Sequence, residues 1–302
     1  MTKEKRFQLR QSAILLLTAL IWGFAFVAQS MGMDYIGPFT LIAIRFLLGA
    51  VTLLPVVVIQ GRGIVPGPDR VRRREDGRAL NGGVLVRGGI ACGISLGLAS
   101  ILQQIGIAHT TVGKAGFLTA LYIVIVPVYA FFLGRRTKPL IWLCVAIACA
   151  GIYFLSMPAG RFTLLKGDAL CLSCAFVFGV QITLVGHYAS LADGVRLAVL
   201  EFLTASAMGF VLMLLFEHPQ PEAVIKAAGP LLYLGIMSSG MAYTLQIIGQ
   251  RGLNPTIASL IMSLESMVSA IGGFLILHQT FTLREVGGCV LMAVAIVLAQ
   301  FV

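Results

Sequence analysis

Charge is scarce in this chain. Asp, Glu, Lys and Arg make up 11% of its 302 residues, where water-soluble domains carry about 25%. Apolar residues reach 58% and the mean hydropathy is +0.96, which excludes an ordinary globular domain with a polar surface. The chain also lacks the groupings that chemistry needs. Its cysteines (Cys92, Cys144, Cys149, Cys171, Cys174 and Cys289) all fall in apolar stretches. Cys171 and Cys174 stand one helical turn apart with no second such pair or histidine nearby, so they read as small packing residues rather than a zinc or redox site. His109, His187, His218 and His278 form no HxxxH or HExxH pattern, and no GxxxxGK[ST] loop is present to cradle nucleotide phosphates. No nucleophile, acid–base or metal set converges, so neither an enzyme nor a cofactor is expected.

Long apolar runs fill the chain instead, at residues 13–31, 38–59, 84–107, 115–133, 139–156, 167–186, 197–216, 229–248, 254–277 and 285–302. Each comes near the ~17–25 residues with which an α-helix crosses a bilayer. They predict an all-α integral membrane protein of ten transmembrane helices, with residues 1–12 as a cytoplasmic N-terminal segment. The first run has no convincing small-residue cleavage site and is read as retained. If the N-terminus is cytoplasmic, only Lys114, Arg161, Lys166, Lys226 and Arg284 of the 22 Lys and Arg fall in outer loops, and Arg45 lies within a span. That asymmetry places both termini in the cytoplasm. Most of it comes from the first half, in particular from a basic cytoplasmic loop at 60–82 containing Arg70, Arg72, Arg73 and Arg74. The net charge of +10 is accounted for by topology and by contact of that loop with anionic lipid headgroups, and no nucleic-acid partner is expected.

The spans repeat. Gln104 recurs as Gln246, Gly97 as Ser239, and Thr119-Ala120-Leu121-Tyr122 as Met262-Ser263-Leu264-Glu265, a shift of 142 to 143 residues. Trp22-Gly23-Phe24-Ala25-Phe26 corresponds to Cys174-Ala175-Phe176-Val177-Phe178, and Ile44-Arg45-Phe46 to Leu200-Glu201-Phe202. The division is residues 13–156 and 157–302, two five-helix repeats. Five is odd, so the second copy enters from the opposite face, and two inverted copies can exchange an outward-open and an inward-open arrangement of similar energy. Gly93, Gly97, Ser100, Gly113, Gly116 and Thr119 allow the close helix approach that either a sliding interface or a static bundle needs.

Polar groups inside the spans carry the functional signal, because a charge at the centre of a membrane helix costs about 2.5–3.5 kcal/mol. Arg45, Glu201 and Glu265 must therefore face protein or water. Arg45 can anchor to a neighbouring carboxylate or carbonyls, or meet an anionic substrate group. Glu201 can bond helix to helix or couple to protons. Glu265, nearer mid-span, is the better proton-coupling candidate, with bonding to Ser263, Ser266 or a facing helix as the alternative. Ser239, Tyr243, Gln246 and Gln250 recur at helical spacing as a polar stripe, mirrored by Gly97, Ser100 and Gln104 with Gln103 beside it. Trp22, Tyr122 and Tyr243 add aromatic faces for an apolar or cationic group, or anchor the interface. Lys114, at the outer start of the fourth span, sits where a helix N-terminus disfavours a cation, so an anionic solute, a carboxylate or a lipid phosphate would answer it. Asn254-Pro255-Thr256 reads as a helix start.

The segments Trp22-Gly23-Phe24-Ala25-Phe26-Val27, Arg45-Phe46, Gln104-Ile105-Gly106-Ile107-Ala108, the run from Thr110 to Tyr122 with Pro127, and Ala258 to Ser266 together resemble the EamA-like permeases of the drug/metabolite transporter superfamily. The resemblance covers roughly residues 12–302. It implies ten transmembrane helices in two EamA-type repeats and secondary transport of a small metabolite, often export of amino acids or related compounds, from the bacterial inner membrane. The 60–82 loop is longer and more basic than the family's usual connection. Efflux of drugs or cationic compounds is the alternative, and a lipid scramblase or nontransporting scaffold the alternative of another class. Monomer and homodimer are equally compatible with the sequence.

Overall fold

The computed structural model describes residues 3–61, 82–110, 112–134, 138–156, 166–277 and 283–299, and every regular element among them is a helix. The basic loop at 62–81 lies outside the described residues. In chain order the helices are α1 (Lys3–Met33), α2 (Pro38–Gly61), α3 (Gly82–Ala108), α4 (Val112–Ala120), α5 (Tyr122–Phe132), α6 (Pro139–Ser156), α7 (Lys166–Tyr188) and α8 (Gly194–Phe216). There follow α9 (Pro221–Lys226), α10 (Ala228–Leu232), a π-helical stretch (Tyr233–Tyr243), α11 (Thr244–Gln250), α12 (Pro255–Met262), α13 (Leu264–Leu277) and α14 (Leu283–Ala299).

Among the described residues six segments are long and apolar enough to cross a bilayer, namely those within α1, α2, α3, α7 and α8 and the continuous Ala228–Gln250 run. Shorter apolar helices cover Leu118–Phe132, Pro139–Gly151 and Val286–Ala295. The chain is thus an all-α, multi-helix membrane protein. Its outer faces are apolar, with Leu214, Phe216 and Val211 among the exposed side chains, as a surface solvated by lipid tails requires.

Local chemistry sets the helix ends. The Asp193 carboxylate accepts from the Val195 and Arg196 amides at 3.0 Å each and starts α8. Asn254 does the same for Thr256 at 2.9 Å, with Pro255 in the first turn of α12. The α2 N-terminus is capped from another helix: Glu217, just beyond α8, accepts from the Phe39 and Thr40 amides at 2.9 and 2.8 Å and from the Thr40 hydroxyl at 2.6 Å. Gly134 and Gly252 hold φ of 74° and 73°, a left-handed conformation that costs glycine nothing.

Three departures from regular α-helix bear on the interior. The apolar runs at 115–133 and 254–277 are each interrupted, at Leu121 and Ser263 respectively. Around the second break the hydroxyls of Ser263 and Ser266 bond back to the carbonyls of Leu260 and Ser263, both at 2.8 Å, a habit that bends helices. The third departure is the π-helix over Tyr233–Tyr243, where the sequence predicted a regular helix. It winds a segment rich in small residues, including Gly235, Ser238, Ser239 and Gly240, and adds residues per turn, so its side chains point away from the 3.6-residue register.

Small residues bring the central helices together. Gly89, Gly93 and Gly97 form a ridge on α3 that meets Leu200, Thr204, Ala205 and Met208 of α8. A Cβ on Gly93 would lie 2.7 Å from the Glu201 carbonyl oxygen. On α2, a Cβ on Gly49 would lie 2.7 Å from that of Ser239. The Ser206 hydroxyl donates to the Ala43 carbonyl at 2.8 Å, tying α8 to α2. Phe46 and Phe202 stack with ring centroids 6.0 Å apart, and Tyr243 meets both edge-on at 6.1 and 6.0 Å. Tyr243 of this aromatic cluster also lines an internal cavity.

Candidate functional site

The inner faces of α1, α2, α3, α4, α5, α7, the π-helix, α11 and α13 surround a cavity enclosing about 440 Å³ of empty space, open solvent included. Its apolar wall is aromatic, with Trp22, Phe26 and Phe178 prominent. Trp22 is fixed on two sides: its Nε1–H donates to the Ser238 carbonyl at 3.3 Å, and its ring lies 4.6 Å from that of Tyr243. Such rings offer contact area with little rotamer freedom to lose.

The polar wall holds both signs of charge. Arg45, from α2, donates through Nη1 to Gln29 Oε1 at 3.2 Å, and its guanidinium carbon stands 4.5 Å from the Phe46 ring centroid. Its Nε has no protein partner, so part of its donor capacity is unspent. Glu265, from the first turn of α13, accepts from the Tyr122 hydroxyl at 3.0 Å through Oε1. Tyr122 begins α5 and Leu264 begins α13, so the hydrogen bond joins the two interrupted runs just past their breaks. A third polar group joins α7, α8 and α11. Gln181 Nε2 donates to Glu201 Oε1 at 2.8 Å, and the Gln181 and Gln246 amides donate to each other at 3.4 and 3.2 Å.

Of the residues singled out in the sequence, Trp22, Arg45, Tyr122, Tyr243, Gln246 and Glu265 line this one cavity. Glu201 is fully buried one layer behind, and touches the lining through Gln181. Gln104 stands off the lining. Its Nε2 donates to Met33 Sδ at 2.6 Å, while the adjacent Gln103, rotated by one helical step, faces the cavity and donates to Thr119 Oγ1 at 3.4 Å. Lys114 belongs to α4, and its side chain lies outside the described residues. Glu265 does not bond to Ser263 or Ser266, whose hydroxyls are turned to backbone carbonyls.

The expected polar stripe does not hold as one face. Tyr243 and Gln246 reach the cavity, whereas Ser239 and Gln250 are buried off it with unpartnered polar atoms. π-winding up to Tyr243 breaks the four-residue spacing and turns Ser238 to the cavity instead. Gln29, Gln181 and Phe178 escaped the sequence reading. A signal existed for the two glutamines, since the alignment carrying Trp22-Gly23-Phe24 onto Cys174-Ala175-Phe176 also carries Gln29 onto Gln181.

Comparison with known proteins adds a family. The sequence profile of the EamA-like transporter family matches residues 11–157 and again residues 165–301. An uncharacterized transporter of Archaeoglobus fulgidus is 26% identical over 290 residues, covering 95% of this chain and 84% of the relative. The uncharacterized transporter YoaV of Bacillus subtilis is 22% identical over 289 residues, covering 93% and 94%. A protein solved by crystallography superposes with a TM-score of 0.74 at 18% identity, over 97% of this chain and 96% of that one, and so shares the fold.

Proposed function

Because the chain belongs to the EamA-like transporter family, and is therefore a membrane transporter of small molecules and not an enzyme, we propose that it exports amino acids or related zwitterionic compounds by alternating access to the cavity. The observation carrying this reading is the presence of Arg45 and Glu265 in the wall of one cavity, alongside aromatic rings and glutamine amides. A guanidinium complements a substrate carboxylate, and a carboxylate lining the same cavity complements an ammonium group. The aromatic wall takes an apolar side chain. A purely cationic drug, the alternative substrate class, would share the cavity with Arg45, and that repulsion favours the zwitterion.

Two inverted five-helix repeats, residues 13–156 and 157–302, making ten transmembrane helices, are part of this reading. Several observations support it. The family profile matches twice. The apolar runs at 115–133 and 254–277 are interrupted at related places, Leu121 and Ser263. Close approaches also recur under the shift, with Gly93 against Thr204 and Gly235 against Leu48. Inversion lets the halves exchange arrangements about a fixed central site. The bias of Lys and Arg toward one set of loops supports cytoplasmic termini, and the scheme puts the protein in a bacterial inner membrane with the 60–82 loop against anionic headgroups.

Coupling to protons runs through Glu265 in this scheme, the lining carboxylate with a single side-chain donor, Tyr122. Proteoliposome flux of amino acids with and without an imposed proton gradient tests the whole. Saturable, counterflow-accelerated flux of amino acids is expected. Glu265→Gln abolishes gradient-driven accumulation and spares exchange. Unchanged accumulation by folded E265Q protein would remove Glu265 from coupling, and flux confined to cationic drugs would overturn the zwitterion.

A further inference from the structure

Glu201 is fully buried, absent from the cavity wall and outside the transport scheme above. A carboxylate in that position carries the desolvation cost of a membrane interior, yet only one of its oxygens has a protein partner. Oε1 accepts from Gln181 Nε2 at 2.8 Å, and Oε2 has none. Its contact with the cavity is indirect, through the facing amides of Gln181 and Gln246.

That amide pair is degenerate by itself. Each group donates one N–H to the other's oxygen, at 3.4 and 3.2 Å, and turning both amides over would restore the same two bonds. Glu201 removes the degeneracy because its Oε1 takes Gln181 by its nitrogen. Both Gln181 N–H groups are then spent, one on Glu201 and one on Gln246. Its unfilled capacity is a lone pair on Oε1, so toward the cavity Gln181 is an acceptor.

The corresponding glutamine in the first half is set the opposite way. Arg45 is a donor without acceptor capacity, so it takes Gln29 by Oε1 at 3.2 Å and leaves the Gln29 N–H groups for the cavity. Two glutamines at related positions on α1 and α7 thus acquire opposite hydrogen-bonding sense from the charged residues beside them.

We propose that Glu201 is a positioning residue for substrate selectivity: acting through Gln181, it orients an acceptor into the cavity that recognises the ammonium group of an amino acid. This rests on the zwitterionic reading of the cavity. Gln181 and Glu265 supply acceptors for the ammonium, and Arg45 and Gln29 supply donors for the carboxylate. Glu201 touches no substrate.

Trp22 in the cavity wall provides the readout, and Trp142, the second tryptophan, is replaced by Phe. Purified W142F protein in detergent is titrated with L-leucine, L-phenylalanine and L-methionine, then with the deaminated acid and the amino alcohol derived from the tightest of the three. Glu201→Leu is expected to weaken the amino acid and the amino alcohol on the order of tenfold, as loss of a charge-assisted or well-placed hydrogen bond does. It leaves the deaminated acid within about twofold. Gln181→Leu reproduces that pattern even if the Glu201 variant fails to fold, and Glu201→Gln, whose Oε1 can still accept, restores part of the selectivity. Equal weakening of all three compounds, or no change in any, overturns the positioning role while leaving the zwitterionic reading intact. A W142F parent that binds none of the three amino acids overturns that reading and the inference with it.

Discussion

Gln29 and Gln181 face the same cavity from α1 and α7, each held by a buried charged residue on the next helix: Arg45 on α2 and Glu201 on α8. The geometry of the two halves is alike at this point and the charge is reversed. Arg45 itself reaches the cavity, whereas Glu201 stays behind its glutamine. The difference teaches how a repeated fold can bind an asymmetric molecule. In the proposed transport scheme the two halves supply related walls, and one charge reversal makes one wall a donor and the other an acceptor. The small residues around the walls are shared in kind, so packing follows the repeat while recognition departs from it.

The sharpest way to break the comparison is to remove its cationic side. Arg45→Met should lower affinity for amino acids and for their deaminated acids by about a hundredfold, the scale of a lost charged hydrogen bond. Amino alcohols should bind unchanged or better. Equilibrium titration reads both, and equal loss across all three would make Arg45 a structural anchor. Next in size is packing. Gly93→Ala and Gly235→Ala test related contacts, but a Cβ at Gly93 meets both the Thr204 Cβ and, at 2.7 Å, the Glu201 carbonyl oxygen, whereas at Gly235 the close neighbour is Leu48 alone, with its Cβ at 2.5 Å. Overpacking costs about 1–3 kcal/mol, and the Gly93 variant should lie toward the upper end because two groups fixed by the α8 backbone, the Thr204 Cβ and the Glu201 carbonyl, oppose it, against the Leu48 Cβ alone at Gly235. Thermal unfolding in detergent ranks the two, and a larger loss for Gly235→Ala would contradict the geometry. The smallest effect is expected at Gln104→Ala, within about twofold of the parent in apparent affinity, against a clear loss for its counterpart Gln246→Ala. A matching loss at Gln104 would return that residue to the binding wall.

Helix positions were legible because lipid demands long apolar runs, and the described helices follow the runs read from the sequence. Arg45, Glu265 and Gln246 stood out for the same reason, as polar groups in segments where polarity is costly. Where the reading failed, local winding was responsible. The polar stripe assumed a 3.6-residue turn, and π-winding over Tyr233–Tyr243 put Ser238 at the cavity in place of Ser239. The repeat aligns Gln104 with Gln246, but the adjacent Gln103 and Gln104 face different neighbours on α3, and it is Gln103 that lines the cavity. Gln29 and Gln181 are uncharged, and although the repeat alignment pairs them, their contacts with Arg45 and Glu201 appear only in the folded structure.

In the proposed transport cycle one cavity opens alternately to the two sides of the membrane. Ser238→Cys, in a chain whose native cysteines are replaced by Ser or Ala, places a thiol on the cavity wall with little change in size. Its reaction with a membrane-impermeant maleimide would be followed in right-side-out and inside-out vesicles, with and without transported amino acid. The account predicts labelling from both sides and protection by substrate on both. Labelling from one side alone, unaffected by substrate, would contradict it.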